Sequence, residues 1–486
     1  MKIAILGGGF TGMTAAYDLQ KKGHTVTLFE REPVLGGLAV GFKQPNWDWY
    51  LERAYHHLFA NDYDILNFAK EIGFDDIFLN SPQTASLYEN AFLSSKFLPR
   101  DQLASQGTSR STSFLAMRGA KTRSFAQTTD SRKNFDDSLN KFSIIPLDSP
   151  VDLLKFPFLS LPTKIRVGAV LAFLKVSPFF SLYEQQTAEE FLKKNMGDAA
   201  WNVLWQELFR KKFGKYAENI LASFIWARIN KRTKKLAYIR GGFQTFIDHI
   251  EKTDKDSGVD IKKGCTVEDI TKRGAGFELI YSSSASGIDP GQARMTVSFD
   301  IVISTLPSLL ISKVASSILP ENYLNRFKKL NYLHAVVLIL ETKQPLLEKA
   351  YWLNISAPSL SVMGVVQHTN LVDKKHYGNN HILYAANYVD NENPLVKMTD
   401  EEVVGHYLPQ LKKINSNFLI HNAKFKSYVF KGPFAQPIFD REFVKNKPDF
   451  LTPVKNFFIA NLDMTYPYDR GTNYAVKLGR DVAKLV

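Results

Sequence analysis

Three glycines, Gly7, Gly9 and Gly12, leave main-chain N–H groups bare of side chains, as a negatively charged diphosphate bridge needs if it is to approach a backbone closely. In this spacing Gly7 permits a tight turn, Gly9 lets the backbone meet the pyrophosphate, and Gly12 lets a helix pack close to a sheet. Phe10 and Thr11 lie between them and would open that helix, offering their N–H groups to the phosphates. Glu30 follows at a distance where a carboxylate can accept both ribose hydroxyls of an adenosine, with Arg31 next to it. A second glycine turn, Gly36-Gly37-Leu38, comes directly after. Further on, Tyr55-His56-His57 forms the most suggestive polar cluster, since histidine can relay a proton or hydrogen-bond a substrate. The bland alternative is that one imidazole of the pair simply satisfies a backbone carbonyl.

These residues need a strand, a turn, a helix and a second strand to hold them. Met1 to Leu6 is an apolar run that predicts the first strand, a helix-like stretch follows Gly12, and Val26-Thr27-Leu28-Phe29-Glu30 predicts the second strand with the acid at its tip. A simple NAD domain would continue from that strand into a crossover helix. A second close approach of backbone to pyrophosphate suits FAD instead, and FAD is the expected cofactor.

Together, Gly7 to Gly12, Glu30 and Gly36-Gly37 resemble the signature of the flavin amine oxidase, protoporphyrinogen oxidase and phytoene desaturase superfamily. The resemblance extends to Cys265-Thr266-Val267, similar to a segment whose valine backbone holds the adenine, and to Asp300 to Pro307, similar to a late strand leading into a Thr-x-Pro turn (Thr305, Pro307) beneath the cofactor. It includes Tyr466-Pro467-Tyr468-Asp469-Arg470-Gly471-Thr472-Asn473, where the family has a loop and helix closing over the flavin. The resemblance implies cofactor contacts at Val267, Thr305, Pro307, Arg470, Gly471, Thr472 and Asn473, and places His56, His57 and Tyr468 near the reactive face as candidate catalytic residues. A helix N-terminus at that point would favour the anionic reduced flavin.

The resemblance also implies an α/β fold with a discontinuous Rossmann-like FAD-binding domain, read here as residues 1–75, 236–310 and 440–486. Residues 76–235 and 311–439 would form an α+β substrate domain, helical in its first block and a mixed sheet in its second. Thr187 to Glu190 has capping-box spacing, Trp201, Leu204, Trp205 and Leu208 recur at helical intervals, and Ala335 to Leu340 and His381 to Ala386 read as strands. Residues 100–141, rich in Ser, Thr, Gln and charge, interrupt an expected hairpin between Ser86-Leu87-Tyr88 and Phe142 to Pro146, and read as a mobile insertion. Arg240-Gly241-Gly242 either presents Arg240 to an anionic substrate or terminates a strand.

Composition narrows the classes. A length of 486 residues with 45% hydrophobic and 13% aromatic side chains predicts two domains. A mean hydropathy of -0.18 argues against an integral membrane protein. No signal peptide precedes the first strand, and Cys265, the single cysteine, excludes an internal disulfide and fits a reducing, cytoplasmic setting. A net charge of +13 could draw anionic lipid or a phosphorylated substrate, but no nucleic-acid motif accompanies it. Lys211-Lys212 and Lys231 to Lys235 read as solvated helix faces. The apolar stretch Val167 to Phe180, flanked by Lys164 and Arg166, is too short to span a bilayer and reads either as a peripheral membrane contact or as a buried helix. No Cys/His set has metal-ligand spacing.

Two reactions fit. The first is FAD-dependent removal of a hydride from a C–N or C–C bond of a small organic substrate. The alternative is a non-redox isomerisation like that of UDP-galactopyranose mutase, which shares the glycine signature and a stretch reminiscent of His57-Leu58-Phe59-Ala60-Asn61-Asp62.

Overall fold

The computed structural model describes residues 1–90, 141–283, 294–418 and 424–486. Except for Lys141, the expected insertion at 100–141 lies outside the described residues. Five parallel strands form the sheet that carries the first glycine turn, in the spatial order Asp260–Lys263, Thr25–Glu30, Lys2–Leu6, Ile301–Ser304 and Phe457–Ile459. Ile3, Ala4, Ile5 and Leu6 are all buried, as are all four residues of Ile301–Ser304. Continuous apolar runs of this kind suit parallel strands covered on both faces. The helices Phe10–Lys21 and Thr472–Ala483 pack against each other on one side. Their contact is backbone-close: a Cβ on Gly479 would lie 2.5 Å from the Thr11 carbonyl oxygen.

A second sheet of seven strands is mixed, as the sequence predicts. Tyr332–Thr342 and His381–Val389 pair antiparallel near its centre, while Ala350–Ile355 runs parallel to Gln83–Glu89. The expected hairpin partners do pair: Gln83–Glu89 lies antiparallel to Phe142–Pro146, with Leu87 opposite Ile144. Three antiparallel strands, Cys265–Arg273, Gly276–Ser283 and Arg294–Phe299, form a separate small sheet.

The helical block runs from Pro150 to Lys231. The Thr187 capping box is complete: its hydroxyl accepts from the Glu190 N–H, and the Glu190 carboxylate accepts from the Thr187 N–H at 2.8 Å. The tryptophan run is not plain α-helix, because Trp201–Trp205 forms a π-helical turn before Gln206–Phe213. Lys211 and Lys212 correct the sequence reading. Lys211 is buried and donates to the Ala357 carbonyl at 2.7 Å, and Lys212 turns inward to Asp469. The short helix Gln206–Phe213 wedges against the mixed sheet, so the basic pair meets protein where a solvated face was expected. Among the described residues no helix is long and apolar enough to cross a membrane.

Candidate functional site

The strand Lys2–Leu6 ends in a turn that only glycine can make. Gly7 has φ +105°, and a Cβ there would lie 2.5 Å from the Thr305 Oγ1; one on Gly12 would lie 2.0 Å from the Gly7 carbonyl oxygen. Gly9 differs. It caps the helix at an ordinary φ of -77°, and a Cβ there would find only the Gly37 Cα, 4.0 Å away. The second turn locks onto the first through the Gly36 N–H, which donates to the Gly8 carbonyl at 2.8 Å. Between Gly9 and Gly37 the main chain of both turns is therefore uncovered, at the N-terminus of the helix Phe10–Lys21. That cradle matches a pyrophosphate in shape and polarity.

The neighbouring residues divide into contacts and supports. Glu30 ends its strand beside the cradle, its carboxylate accepting from the Gly8 N–H at 2.7 Å and the Glu32 N–H at 2.8 Å, with further lone pairs free for ribose hydroxyls. Val267 sits at a bulge in the strand Cys265–Arg273, in the segment where the Gly264 N–H donates to the Glu32 carbonyl. Arg31 is exposed and pairs with its neighbour Glu32 at 3.0 Å, and Leu38 is exposed near Gly432. The Phe10 ring packs on Phe246 in the core, so Phe10, like the buried Thr11, could meet a phosphate only through its main chain. Thr305 braces the first turn, donating to the Leu6 carbonyl at 2.8 Å, and Pro307 starts the helix Ser308–Val314.

The loop before the C-terminal helix forms the second half of the site. Tyr468 stacks on Tyr474 with ring centroids 4.7 Å apart and meets Trp226 at 5.9 Å. Arg470 donates to the Ala435 carbonyl at 2.5 Å and lies over the Tyr388 ring at 4.4 Å. Gly471 caps the helix, and Thr472 is its first residue. Asn473 is committed elsewhere: its amide donates to Asp64 at 2.9 Å and accepts from the Ile65 N–H at 3.1 Å.

His56 and His57 lie between the short strands Leu51–Glu52 and Leu58–Phe59 in the chain. His56 Nδ1 lies 2.7 Å from the Ala54 carbonyl, which can only accept, so Nδ1 carries the proton. His57 Nδ1 lies 3.2 Å from the Tyr351 hydroxyl. Burial lowers both imidazoles, His56 to about 4 and His57 to about 3, the latter further depressed by His56, Arg232 and Arg228. Both are neutral at physiological pH and can orient or accept hydrogen bonds, but they hold no reserve proton.

Asp469 and Tyr55 belong to stretches that the sequence singles out, whereas their partners Lys212 and Arg228, and the buried Glu52, were not evident there. Asp469 accepts from Lys212 at 2.9 Å and Arg228 at 3.2 Å, and although burial raises its carboxyl, these two cations outweigh it and hold the group below its ordinary value. Burial pushes Lys212 down to about 8 against the pull of Asp469. Tyr55 meets Tyr388 hydroxyl to hydroxyl at 3.2 Å. Beneath them Glu52 is wholly buried, accepting from the Tyr238 hydroxyl at 2.8 Å and the Phe243 N–H at 2.8 Å. Burial raises it from 4.5 to about 7, partly offset by those bonds. A surface cavity of about 540 Å³ lined by Glu341, Lys343 and Lys424 lies at the far end of the strand Tyr332–Thr342 and contains none of these groups.

A parallel sheet with paired glycine turns, an acid at the second strand tip and a C-terminal helix starting beside an aromatic wall define a dinucleotide-dependent flavoprotein. The chain belongs to the flavin containing amine oxidoreductase family, whose pattern matches residues 10–486. It is an oxidoreductase of that family, and its cofactor is FAD. A phytoene desaturase of Synechococcus elongatus is 37% identical over 76 residues, 16% of this chain and 16% of that relative's length. Among solved structures, an oxidoreductase from Methanosarcina mazei superposes with a TM-score of 0.69 at 17% identity, covering 100% of both chains. A reduced UDP-galactopyranose mutase gives 0.68 at 13% identity, covering 99% of this chain and 94% of its own. At these identities the structures share the fold alone.

Proposed function

We propose that the protein desaturates a C–C bond of a neutral or anionic organic substrate, one carbon losing a hydride to the flavin and its neighbour a proton to solvent, with His56, His57 and Tyr468 positioning that substrate. The charge balance around Asp469 carries the reading. Lys212 and Arg228 bond this one carboxylate and the guanidinium of the adjacent Arg470 lies over the Tyr388 ring, beside a wall of Trp226, Tyr466 and Tyr468. A protonated amine entering there meets net positive charge in a poorly solvated setting, where like charges repel strongly. Among the family's two bond types, C–N and C–C, the balance therefore favours the second, and the desaturase relative agrees in direction.

Gly9, Gly36 and Gly37 would hold the diphosphate and Glu30 the ribose, with Arg470, Gly471 and Thr472 beside the ring system. When bound, FAD supplies the two-electron acceptor. The chain contributes position: the neutral imidazole of His57 is held against Tyr351 and Trp352, the stacked Tyr468 and Tyr474 form a rigid flat wall, and the ion pair at Asp469 fixes the loop ahead of the helix Thr472–Ala483.

Anaerobic mixing distinguishes the possibilities. A detergent-dispersed unsaturated hydrocarbon should bleach the oxidised holoprotein and a primary alkylamine should not; bleaching by the amine alone reverses the bond assignment. Isomerisation of a nucleotide sugar by the reduced holoprotein, without net electron consumption, would replace the redox reading with the mutase one.

A further inference from the structure

Exposed apolar side chains are unevenly distributed over this molecule. Of seventeen large ones among the described residues, nine lie between Ile144 and Leu182. Most belong to the helix Leu161–Val176 and the turns on either side of it. Along that helix Leu161, Ile165, Phe173 and Val176 recur on one face, which points to solvent; Ile165 is 61% and Val176 76% exposed. Val167 and Leu174, a helical repeat apart on the other face, are fully buried against the protein. A helix that is apolar all round belongs in a core, yet this one has only one side covered. Continuous with it, Val151, Leu154, Phe179 and Leu182 extend the same exposed surface.

On the helix itself the charge has a single sign. The helix contains Lys164, Arg166 and Lys175 and no acid. All three side chains lie at its flanks and donate to backbone carbonyls: Lys164 to Leu154, Arg166 to Asn195 and Lys194, Lys175 to Asn230 and Arg232. Their charge is thus held in place around the apolar stripe without a carboxylate to neutralise it. The nearby chain adds Lys155, Lys234 and Lys235 against the acids Asp152 and Glu184, while Lys231 and Arg232 are paired with Asp62 and Asp148. A second copy docked on this face would bring two basic rims together, on a chain of net charge +13. A layer of anionic headgroups over hydrocarbon complements both the rim and the stripe.

We propose that this face seats the protein on an anionic lipid bilayer, with Leu161, Ile165, Phe173, Val176, Phe179 and Leu182 dipping into the hydrocarbon boundary. The surface also lies close to the candidate site. The Phe180 ring, behind the patch, meets Trp226 at 5.8 Å and Tyr466 at 6.4 Å, and Trp226 meets Tyr468. An apolar substrate dissolved in the bilayer would need to pass only one layer of aromatic side chains to reach the loop beside the flavin. Docking stands on the surface alone; that delivery step rests on the function proposed above.

The test is co-sedimentation of the holoprotein with phosphatidylcholine vesicles, with and without phosphatidylglycerol. The wild type should pellet with the anionic vesicles, less so at high salt, and the double variant Ile165→Glu/Phe173→Glu should lower the bound fraction roughly tenfold or more. Both side chains are exposed, so the variant should keep its flavin absorbance and its melting temperature. Wild type left in the supernatant with both vesicle types overturns the proposal. So does a lipid-indifferent dimer that the double variant converts to monomer, which would make the face a contact between copies. Bleaching by a substrate presented in detergent is read separately, so loss of docking and loss of the proposed reaction remain distinguishable.

Discussion

Gly9 and Gly12 share a motif but fail differently when a side chain is added. A Cβ on Gly12 meets the Gly7 carbonyl at 2.0 Å, so substitution there disrupts the fold itself. Gly9 has room, and Gly9→Val should therefore fold with a near-normal melting profile yet purify colourless, because its methyls occupy the cradle opposite Gly37. Absorbance of the purified protein reads this directly, and a yellow Gly9→Val variant would place the diphosphate elsewhere. Glu52 supplies the pH prediction. Its side chain receives the first N–H of the helix Phe243–Ser257, whose cap Gly242 has no side chain to offer. With its folded-state value near 7 against an ordinary 4.5, the native protein holds a proton that the unfolded chain has released. That contribution is complete below about pH 4.5 and is lost as pH rises through 7. Glu52→Gln should flatten this part of the stability profile, by on the order of 2–3 kcal/mol, in urea unfolding measured across that window. An unchanged slope in the variant would mean that Glu52 is not the titrating group.

The C-terminal helix Thr472–Ala483 is positioned by two other helices. It packs along Phe10–Lys21, and Asn473 ties its first turn to Tyr63–Glu71 through Asp64 and the Ile65 N–H. Arg480, near its other end, also reaches Glu71. Asn473→Ala leaves a buried N–H and a carboxylate oxygen without their partner, a change worth about 1–3 kcal/mol. The expected result is a lower urea midpoint together with weaker FAD retention on gel filtration, since the proposed flavin site adjoins the start of this helix. Loss of stability with FAD retention intact would separate the helix tie from the cofactor. The sequence motif could not distinguish these roles, because a polar residue in a helix's first turn suits either a ligand or a neighbouring helix.

The parallel sheet is assembled from distant stretches of the chain: the strand beginning at Lys2 pairs with the one beginning at Ile301, which pairs with the one beginning at Phe457. A ligand bridging the first turn, the strand Cys265–Arg273 and the loop after Asn461 therefore adds to the strand pairing and hydrogen bonds that already join these distant segments. Stripped of FAD, the protein should melt at a lower temperature, and FAD at a hundredfold excess over its dissociation constant should restore about 2.7 kcal/mol. Calorimetry with added FAD measures it, and no shift would mean that FAD does not bind the native fold. Gly9→Val should show no restoration under the same conditions.

The sequence by itself determined the nucleotide half of the protein. Gly7 to Gly12, Glu30 and Gly36-Gly37 lie within one short stretch of chain, where Gly7, Gly36 and Gly37 are required by positive φ and Gly12 by close packing, so local spacing carries the meaning. The Thr187 capping box and the apolar runs Ala335 to Leu340 and His381 to Ala386 of the mixed sheet were legible for the same reason. Only the tertiary structure decided the charge of the site and what covers the Leu161–Val176 helix. Lys212, Arg228 and Asp469 come from three distant elements, and Lys212 looks like any surface lysine until burial against Asp469 fixes it. Whether an apolar helix face meets core or solvent likewise depends on what the rest of the chain packs against it, and pairwise contacts between remote segments leave no periodicity in the sequence.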